Sequence, residues 1–187
     1  LAPAGIFTTL ILPHPPWLLC VNPSVKTTSK ELINAVLAKK FQTLATFGNL
    51  NNHIGVPLTL LGINASHQFA IIEMGANHQG EIELLCKIAE PSFGLITNIG
   101  KAHLEGFGGI EGVKKGKSEL YKYIKSKNGK IFINGDDPVL ISLAIDIEKI
   151  SYGLKQTNNI IGINNTKSEM VSLTFRSEIE KNLKPAP

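Results

Sequence analysis

Arginine is almost absent from this chain of 187 residues. Only one of the 19 basic residues, Arg176, carries the guanidinium fork that binds phosphate through two parallel hydrogen bonds. The lysines are scattered along the sequence, with no aromatic residues interleaved among them. We therefore expect no basic surface of the kind that binds nucleic acid, and no nucleic-acid partner.

Cysteine is scarce, and long apolar runs are missing. The two cysteines, Cys20 and Cys86, are far apart, so neither a disulfide framework nor a zinc site is expected. This usage is typical of the reducing cytoplasm. No stretch has the roughly 18 uninterrupted apolar residues of a membrane span. With 43% hydrophobic and 18% charged residues, the chain reads as a globular domain.

The first 25 residues also lack charged side chains, although they hold Pro3, Pro13, Pro15, Pro16 and Pro23. A signal peptide is not predicted, because the basic start is missing and prolines interrupt the apolar stretch. We treat residues 1–25 as an atypical segment, and our hypothesis is a reading-frame error or a gene fragment placed upstream. Residues 26–175 then form the main domain, and residues 176–187 a linker or tail.

From Lys26 onward, apolar runs alternate with helical patterns. The order predicts an α/β fold with a mainly parallel sheet flanked by helices, and ligands at the carboxyl ends of its strands. Residues 48–59 read as a long polar loop. Helices are predicted over 28–40, 78–89, 111–125 and 136–145, strands over 43–46, 69–75, 93–100, 130–134 and 149–153, and a closing hairpin over 160–165 and 169–175. The inward faces predicted for the first two helices are Leu32, Ile33, Val36 and Leu37, and Ile82, Leu85, Cys86 and Ala89.

A lysine followed by two threonines stands at the start of the first predicted helix. Lys26, Thr27 and Thr28 supply two elements of a phosphate-binding loop, a cation for the phosphates and a hydroxyl for Mg²⁺. The third element, a glycine-rich turn, is missing from Asn22-Pro23-Ser24-Val25. On these residues alone, an ordinary threonine helix cap explains the sequence better than a nucleotide site.

Two further polar residues follow predicted strands. Glu73 ends an apolar strand at the ligand-binding edge, where its carboxylate is well placed for a cation, although a solvated loop glutamate is an equal alternative. His103 lies in the glycine-rich segment 97–109 and could ligate a metal or contact phosphate. A lone loop histidine is more often a hydrogen-bonding surface residue.

Lys117 interrupts the apolar face of the helix over 111–125. Val113, Leu120 and Ile124 form that face, and Lys117 occupies the position where a further apolar residue is expected. A buried ammonium group is unfavourable unless it is paired or modified. The pattern therefore favours a functional lysine over one that reaches past the edge of the face to solvent.

Amides and aspartates after other strands are additional candidates. Asp136 or Asp137 could cap the next helix, with Pro138 in its first turn, and capping alone would explain them. Asn134 at a strand end could equally contact a base or ribose. Asn52 lies in the polar loop together with Asn49, Asn51 and His53. The asparagines favour turns on their own account, but these three amides and the histidine could also line a ligand site.

Five stretches together resemble the Mur ligase family, and within it the type that joins D-alanyl-D-alanine to UDP-N-acetylmuramoyl-tripeptide. They are "KTTSKELINAVL", "GNLNNHIGVPLTLL", "IIEMGANHQGEIELLCKIAEP", "LITNIGKAHLEGFGGIEGVKKGKSELY" and "INGDDP". The resemblance covers roughly residues 26–155 and implies a P-loop NTPase-like central ATP-binding domain. It implies an ATP-dependent ligase of peptidoglycan precursor synthesis that works through an acyl phosphate, with ATP and Mg²⁺ as cofactors. A folate polyglutamate ligase would share this chemistry but would not be expected to carry the asparagine loop or "EMGANHQGEI".

The resemblance also implies roles for individual residues. Lys26 would contact the β- and γ-phosphates, Thr27 and Glu73 a first Mg²⁺, and His103 a second. Lys117 matches the lysine that the family carbamylates into a metal ligand. The remaining assignments are Thr28 at the nucleotide, Asn134 and Asp137 near adenine and ribose, and Asn52 facing the phosphates or the substrate.

Two departures from the family pattern matter. Val25 and Pro23 replace residues of a glycine-rich loop, which predicts severely weakened ATP binding because a branched Cβ and a missing N–H oppose phosphate contact. Only the central domain is present, so the chain is not expected to complete the ligation without the amino- and carboxyl-terminal domains. An alternative is a catalytically inactive nucleotide-binding or scaffold remnant.

Overall fold

The computed structural model describes residues 5–6, 8–9, 17–20, 29–100, 104–164 and 173–177. Its helices are α1 (Ser29–Leu37), α2 (Gly55–Leu61), α3 (Glu81–Ala89), α4 (Leu104–Phe107), α5 (Ile110–Ser126) and α6 (Pro138–Leu143). Its strands are β1 (Gly5–Ile6), β2 (Thr8–Thr9), β3 (Trp17–Cys20), β4 (Thr43–Ala45), β5 (Phe69–Ile71), β6 (Met74–Gly75), β7 (Phe93–Ile96), β8 (Lys130–Asn134), β9 (Glu148–Gly153), β10 (Ile160–Asn164) and β11 (Leu173–Ser177).

A nine-stranded sheet in the order β11-β10-β9-β8-β7-β2-β3-β5-β4 forms the centre of the domain. Five neighbouring pairs run parallel, and three, β10–β11, β2–β3 and β2–β7, run antiparallel. The predicted α/β fold with a mainly parallel sheet is confirmed, as is the closing hairpin, which forms β10 and β11. In such a sheet the carboxyl ends of the parallel strands share one edge.

The main hydrophobic core lies between one face of this sheet and helices α2, α3, α5 and α6. Alternate residues of the strands, such as Ile131 and Ile133 of β8, point into it and are fully buried. The inward residues predicted for α3 are all buried. Val113, Leu120 and Ile124 of α5 are buried as predicted.

The opposite sheet face carries a smaller cluster around Phe69, Ile71 and Leu95. Among the described elements, α1 packs against this face, over β4 and β5. The predicted inward face of α1 is partly wrong. Ile33 and Leu37 pack against the cluster, but Leu32 is 59% and Val36 71% exposed, because the helix turns Lys30 inward instead.

The segment predicted as a long polar loop contains a helix, so that prediction is wrong for its second half. The asparagines of this segment favour turns, and Gly55 and Pro57 are also more common in loops than in helices. Proline is tolerated in the first turn of a helix. Gly55 is required by packing, since a Cβ there would lie 2.3 to 2.5 Å from backbone atoms of Leu50.

The predicted strand over 69–75 divides into β5 and β6. β6 pairs with β1 in a separate two-stranded sheet. β3 of the atypical amino-terminal segment pairs in parallel with β5, and β2 lies between β3 and β7. The origin of residues 1–25 in another reading frame stays a prediction. None of the helices that the structure describes is long and apolar enough to cross a membrane.

Candidate active site

Glu73 lies at the carboxyl edge of the sheet, two residues after β5 ends, and only 2% of its surface is exposed. The alternative of a solvated loop glutamate is therefore excluded. The backbone N–H of Glu73 donates to Thr46 Oγ1 at 2.8 Å. Thr46 in turn follows β4, and its N–H donates to the Ile71 carbonyl at 2.9 Å. These bonds fix the chain on both sides of the point where the strand pairing stops.

Asn51 fixes one oxygen of this carboxylate. Its Nδ2 donates to Glu73 Oε1 at 2.7 Å, and its backbone carbonyl accepts from the Gly75 N–H at 2.6 Å. The contact depends on a glycine, because a Cβ at Gly75 would lie 2.8 to 2.9 Å from the Asn51 amide atoms. The neighbouring loop and the turn after β5 are thus locked together around Glu73.

Lys30 in the first turn of α1 provides the charge opposite Glu73. Its Nζ lies 3.2 Å from Glu73 Oε2, and the two side chains are 1% and 2% exposed. The same ammonium group donates a hydrogen bond to the Gly48 carbonyl. A buried ion pair of this kind needs such additional hydrogen bonds, because both charges have lost their water.

Glu73 Oε2 accepts no hydrogen bond from the described residues, although the Lys30 ammonium lies nearby. A buried carboxylate oxygen without a hydrogen bond suits a hard divalent cation, which prefers oxygen ligands. Within the described ranges, no three His, Cys, Asp or Glu side chains cluster as a metal site would require. Of the predicted metal ligands, Thr27 and His103 lie outside those ranges.

Lys117 is buried in α5, and the predicted inward orientation of its side chain is confirmed by its 2% exposure. Its Nζ donates to the Asn98 carbonyl at 3.0 Å, just beyond the end of β7. Burial lowers the pKa of Lys117 from 10.5 to about 8. The amine is therefore easier to deprotonate than an exposed lysine, which favours nucleophilic behaviour.

The end of β8 and the residues that follow it form a helix cap and a set of side-chain hydrogen bonds. Asp137 caps α6 as predicted, with Oδ1 accepting from the N–H groups of Val139 at 2.8 Å and Leu140 at 3.2 Å. Asn134 Oδ1 accepts from the Asp136 N–H at 3.0 Å. The Asp136 carboxylate accepts from the Leu154 N–H, the Asn158 side chain and the Lys155 N–H, and these contacts lower its pKa. These bonds position Asn134 and Asp137 at the carboxyl edge without assigning them a ligand.

Asn52 begins α2. Its Oδ1 accepts from the Ile54 N–H at 3.0 Å and the Gly55 N–H at 2.9 Å. A cavity of about 420 Å³ opens beside it, with a polar lining that includes Asn49, Asn51, Asn52, His53, Asn77 and Glu81. Amides that could contact a polar ligand therefore line a cavity that includes Asn51, the residue that holds Glu73.

The remaining predicted site residues, Lys26, Thr27, Thr28 and His103, lie outside the described residues. Lys30 was not predicted as a site residue, and Asn51 was predicted only to line a ligand site, not to hold Glu73. The inward orientation of Lys30 could have been predicted from the sequence. Lys30 stands three residues before Ile33 and seven before Leu37, and so shares their helix face. The contact of Asn51 with Glu73 had no local signal, since it joins residues 22 positions apart.

The mainly parallel sheet, the buried carboxylate at its carboxyl edge and the inward lysine define an α/β ligand-binding domain. The sequence model of the Mur ligase middle domain matches residues 26–184, and the chain belongs to this family.

The named relatives and solved structures that this chain resembles are Mur ligases of one type. The UDP-N-acetylmuramoyl-tripeptide–D-alanyl-D-alanine ligase of Haemophilus influenzae is 46% identical over 127 residues, which are 66% of this chain and 28% of that protein. The crystal structure of MurF from Acinetobacter baumannii matches with a TM-score of 0.71 and 35% identity, over 83% of this chain and 34% of that one. MurF of Thermotoga maritima in complex with ADP matches with a TM-score of 0.67 and 28% identity, over 79% and 36%. The chain thus spans about a third of the length of these relatives.

Proposed function

We propose that this chain is the ATP-binding middle domain of a ligase that joins D-alanyl-D-alanine to UDP-N-acetylmuramoyl-tripeptide in peptidoglycan precursor synthesis. In this reaction the tripeptide carboxylate takes the γ-phosphoryl group of ATP, which leaves an acyl phosphate and ADP. The amine of D-alanyl-D-alanine then attacks the acyl carbon, and phosphate departs. The proposal places the protein in the cytoplasm, with the amino- and carboxyl-terminal domains of the full ligase as its partners.

The buried carboxylate of Glu73 at the carboxyl edge of the sheet carries this proposal. One of its oxygens is fixed by Asn51 and the other accepts no hydrogen bond from the described residues, which suits a cation ligand. Membership of the Mur ligase middle domain family and a relative in complex with ADP support a nucleotide at this edge.

We assign the roles as follows. Lys26 neutralises the β- and γ-phosphates, with Thr28 beside the nucleotide, and Thr27 and Glu73 hold a first Mg²⁺. Bound Mg²⁺ would neutralise the charge that develops on the transferred phosphoryl group. His103 serves a second Mg²⁺, Asn52 faces the phosphates or substrate, and Asn134 and Asp137 lie near adenine and ribose.

Lys117 is proposed to act as a carbamate. Its neutral amine would attack CO₂, form an N–C bond and lose one proton, so that a cation becomes a carboxylate-like ligand. The buried position and the lowered pKa support this step, because only the unprotonated amine reacts. A carbamate would also remove the unfavourable burial of a positive charge.

A second candidate is an inactive nucleotide-binding or scaffold remnant. The sequence Asn22-Pro23-Ser24-Val25 favours it, because the glycines of the phosphate loop are missing. The two candidates differ in how nucleotide binding depends on Mg²⁺, since the remnant would not bind ATP in a Mg²⁺-dependent manner.

Calorimetric titration of the chain with ATP, with and without Mg²⁺, tests the proposal. We expect weak, Mg²⁺-dependent binding, because the loop lacks glycines. This binding should be lost in E73Q and retained in E83Q, which changes an exposed glutamate on α3. Retained Mg²⁺-dependent binding in E73Q would contradict the assignment of Glu73. Absence of ATP binding by the unchanged chain would favour the remnant.

A further inference from the structure

Lys30 has no part in the roles proposed above, yet it is among the most buried side chains of the domain. It stands in the first turn of α1. A cation there is disfavoured by the helix dipole, whose positive end is the amino terminus. Burial adds to this cost, since an ammonium group loses its hydration. Only a specific partner compensates for both effects, and that partner is Glu73.

The contacts of Lys30 differ from those of an ordinary surface ion pair. Nζ lies 3.2 Å from Glu73 Oε2, the oxygen that accepts no hydrogen bond from the described residues. The other oxygen, Oε1, is held by Asn51. Nζ also donates to the Gly48 carbonyl, so the ammonium keeps a partner when the carboxylate binds something else.

We propose that Lys30 is a positioning residue that serves as the internal counter-ion of Glu73 and competes with a divalent cation for Glu73 Oε2. The inference rests on the proposed role of Glu73 as a cation ligand. Without a metal ion, the ammonium balances the buried carboxylate and keeps it aimed at the site. When a divalent cation binds Oε2, repulsion between the two cations weakens the contact of Lys30 with Glu73, and the Gly48 carbonyl retains the ammonium.

Competition between Lys30 and a divalent cation has a consequence that a purely structural ion pair would not have. Removing the Lys30 charge should strengthen binding of a divalent cation to Glu73, even though it destabilises the protein. The bound cation should also restore stability, because it replaces the missing positive charge. If the ion pair were purely structural, removing the Lys30 charge would destabilise the protein without any gain in metal affinity.

Mn²⁺ without nucleotide is the probe, measured by electron paramagnetic resonance of the free ion and by thermal unfolding with and without the metal. The variants are K30M, K30R, E73Q and the double variant K30M/E73Q. K87M is the matched control, because Lys87 pairs with Glu83 at 2.5 Å on the exposed side of α3. K30Q serves in place of K30M if K30M does not fold without metal, since its amide is more compatible with the polar site.

We expect K30M to bind Mn²⁺ about tenfold more tightly than the unchanged chain, from the loss of one nearby positive charge. Mn²⁺ should recover most of the melting temperature that K30M loses. K30R and K87M should respond to Mn²⁺ like the unchanged chain. E73Q and the double variant should lose the Mn²⁺ response.

Unchanged or weaker Mn²⁺ binding in K30M overturns the inference, whereas the proposed function survives if the unchanged chain still binds Mn²⁺ through Glu73. If neither K30M nor the unchanged chain binds Mn²⁺, both the role of Glu73 as a cation ligand and the competition with Lys30 are contradicted. ATP binding, titrated separately, reports on the proposed function without reference to Lys30.

Discussion

At the scale of single residues, burial determines what the charged groups of this domain can do. Lys30, Glu73 and Lys117 each expose 2% of their surface or less. Lys30 and Glu73 neutralise each other, whereas Lys117 contacts the neutral carbonyl of Asn98. The two lysines therefore differ chemically: one is held as a cation by its partner, and the other is the better candidate for modification.

Lys117 should make stability depend on pH in a defined window. Its pKa is lowered to about 8 in the folded chain, against 10.5 for the unperturbed group. Between these values the unfolded chain binds more protons, so the free energy of unfolding rises with pH. Relative to K117M, the unchanged chain should gain at most about 3 kcal/mol between pH 8 and pH 10.5. Urea unfolding in CO₂-free buffer measures this difference.

The control for this prediction is K115M, two residues earlier on the exposed side of α5. It should follow the unchanged chain at every pH. Parallel stability curves for K117M and the unchanged chain would show that Lys117 keeps an ordinary pKa in the folded state.

At the scale of elements, end contacts decide where helices begin. Asp137 caps α6 through its own side chain, with Pro138 as the first helical residue. The start of α3 is capped from another element, because Glu119 of α5 accepts from the N–H groups of Gly80 at 2.7 Å and Glu83 at 3.0 Å. Both arrangements satisfy N–H groups that a helix leaves free.

Replacing Asp137 should weaken α6. D137A removes the acceptor for the Val139 and Leu140 N–H groups, and we expect a loss of about 1 kcal/mol in the free energy of unfolding. D137N keeps an acceptor at the same position and should stay close to the unchanged chain. Urea unfolding compares the three proteins, and equal losses in D137A and D137N would mean that the charge, not the cap, stabilises the helix.

Local patterns predicted those elements whose own residues determine them. The periodic faces of α3 and α5, the Asp-Pro start of α6 and the closing hairpin are properties of contiguous sequence. α2 was missed because the asparagines before it favour turns, and because Gly55 and Pro57 are more common in loops than in helices. The break between β5 and β6 was missed because it depends on a contact between distant residues, in which Thr46 Oγ1 accepts from the Glu73 N–H.

The candidate site divides in the same way. Glu73 and Lys117 could be singled out because a polar residue interrupts an apolar pattern at each position. The contacts of Glu73 could not be predicted, because Lys30 reaches it from α1 and Asn51 from the loop after β4. Geometry of this kind depends on how α1 and the loop after β4 pack around the sheet.

At the scale of the whole molecule, the described residues cover the two faces of the sheet unequally. The main core on one face joins helices and strands in a single cluster. On the other face, Phe93, Phe132 and Tyr152 are only partly buried, and a groove of about 390 Å³ runs past Phe132 and Tyr152. The stability of the domain should therefore depend mainly on the first face.

Truncating the main core should destabilise the entire domain. Ile133 of β8 is fully buried, so I133A should lower the free energy of unfolding by about 3 kcal/mol. Far-ultraviolet and near-ultraviolet circular dichroism should both show unfolding at the same, lower urea concentration. I145A changes a side chain that is 66% exposed and should alter stability by less than about 0.5 kcal/mol. Separate transitions for the two signals in I133A would show that the domain does not unfold as one unit.

Gly75 has a consequence for how substitutions in this domain should be interpreted. Its hydrogen atom lies where any larger side chain would push against the Asn51 amide, the group that aims Glu73. A single added methyl group could therefore disable the site while every ionisable residue stayed in place. A sequence that retains all its charged residues is thus not, on that evidence alone, a working copy.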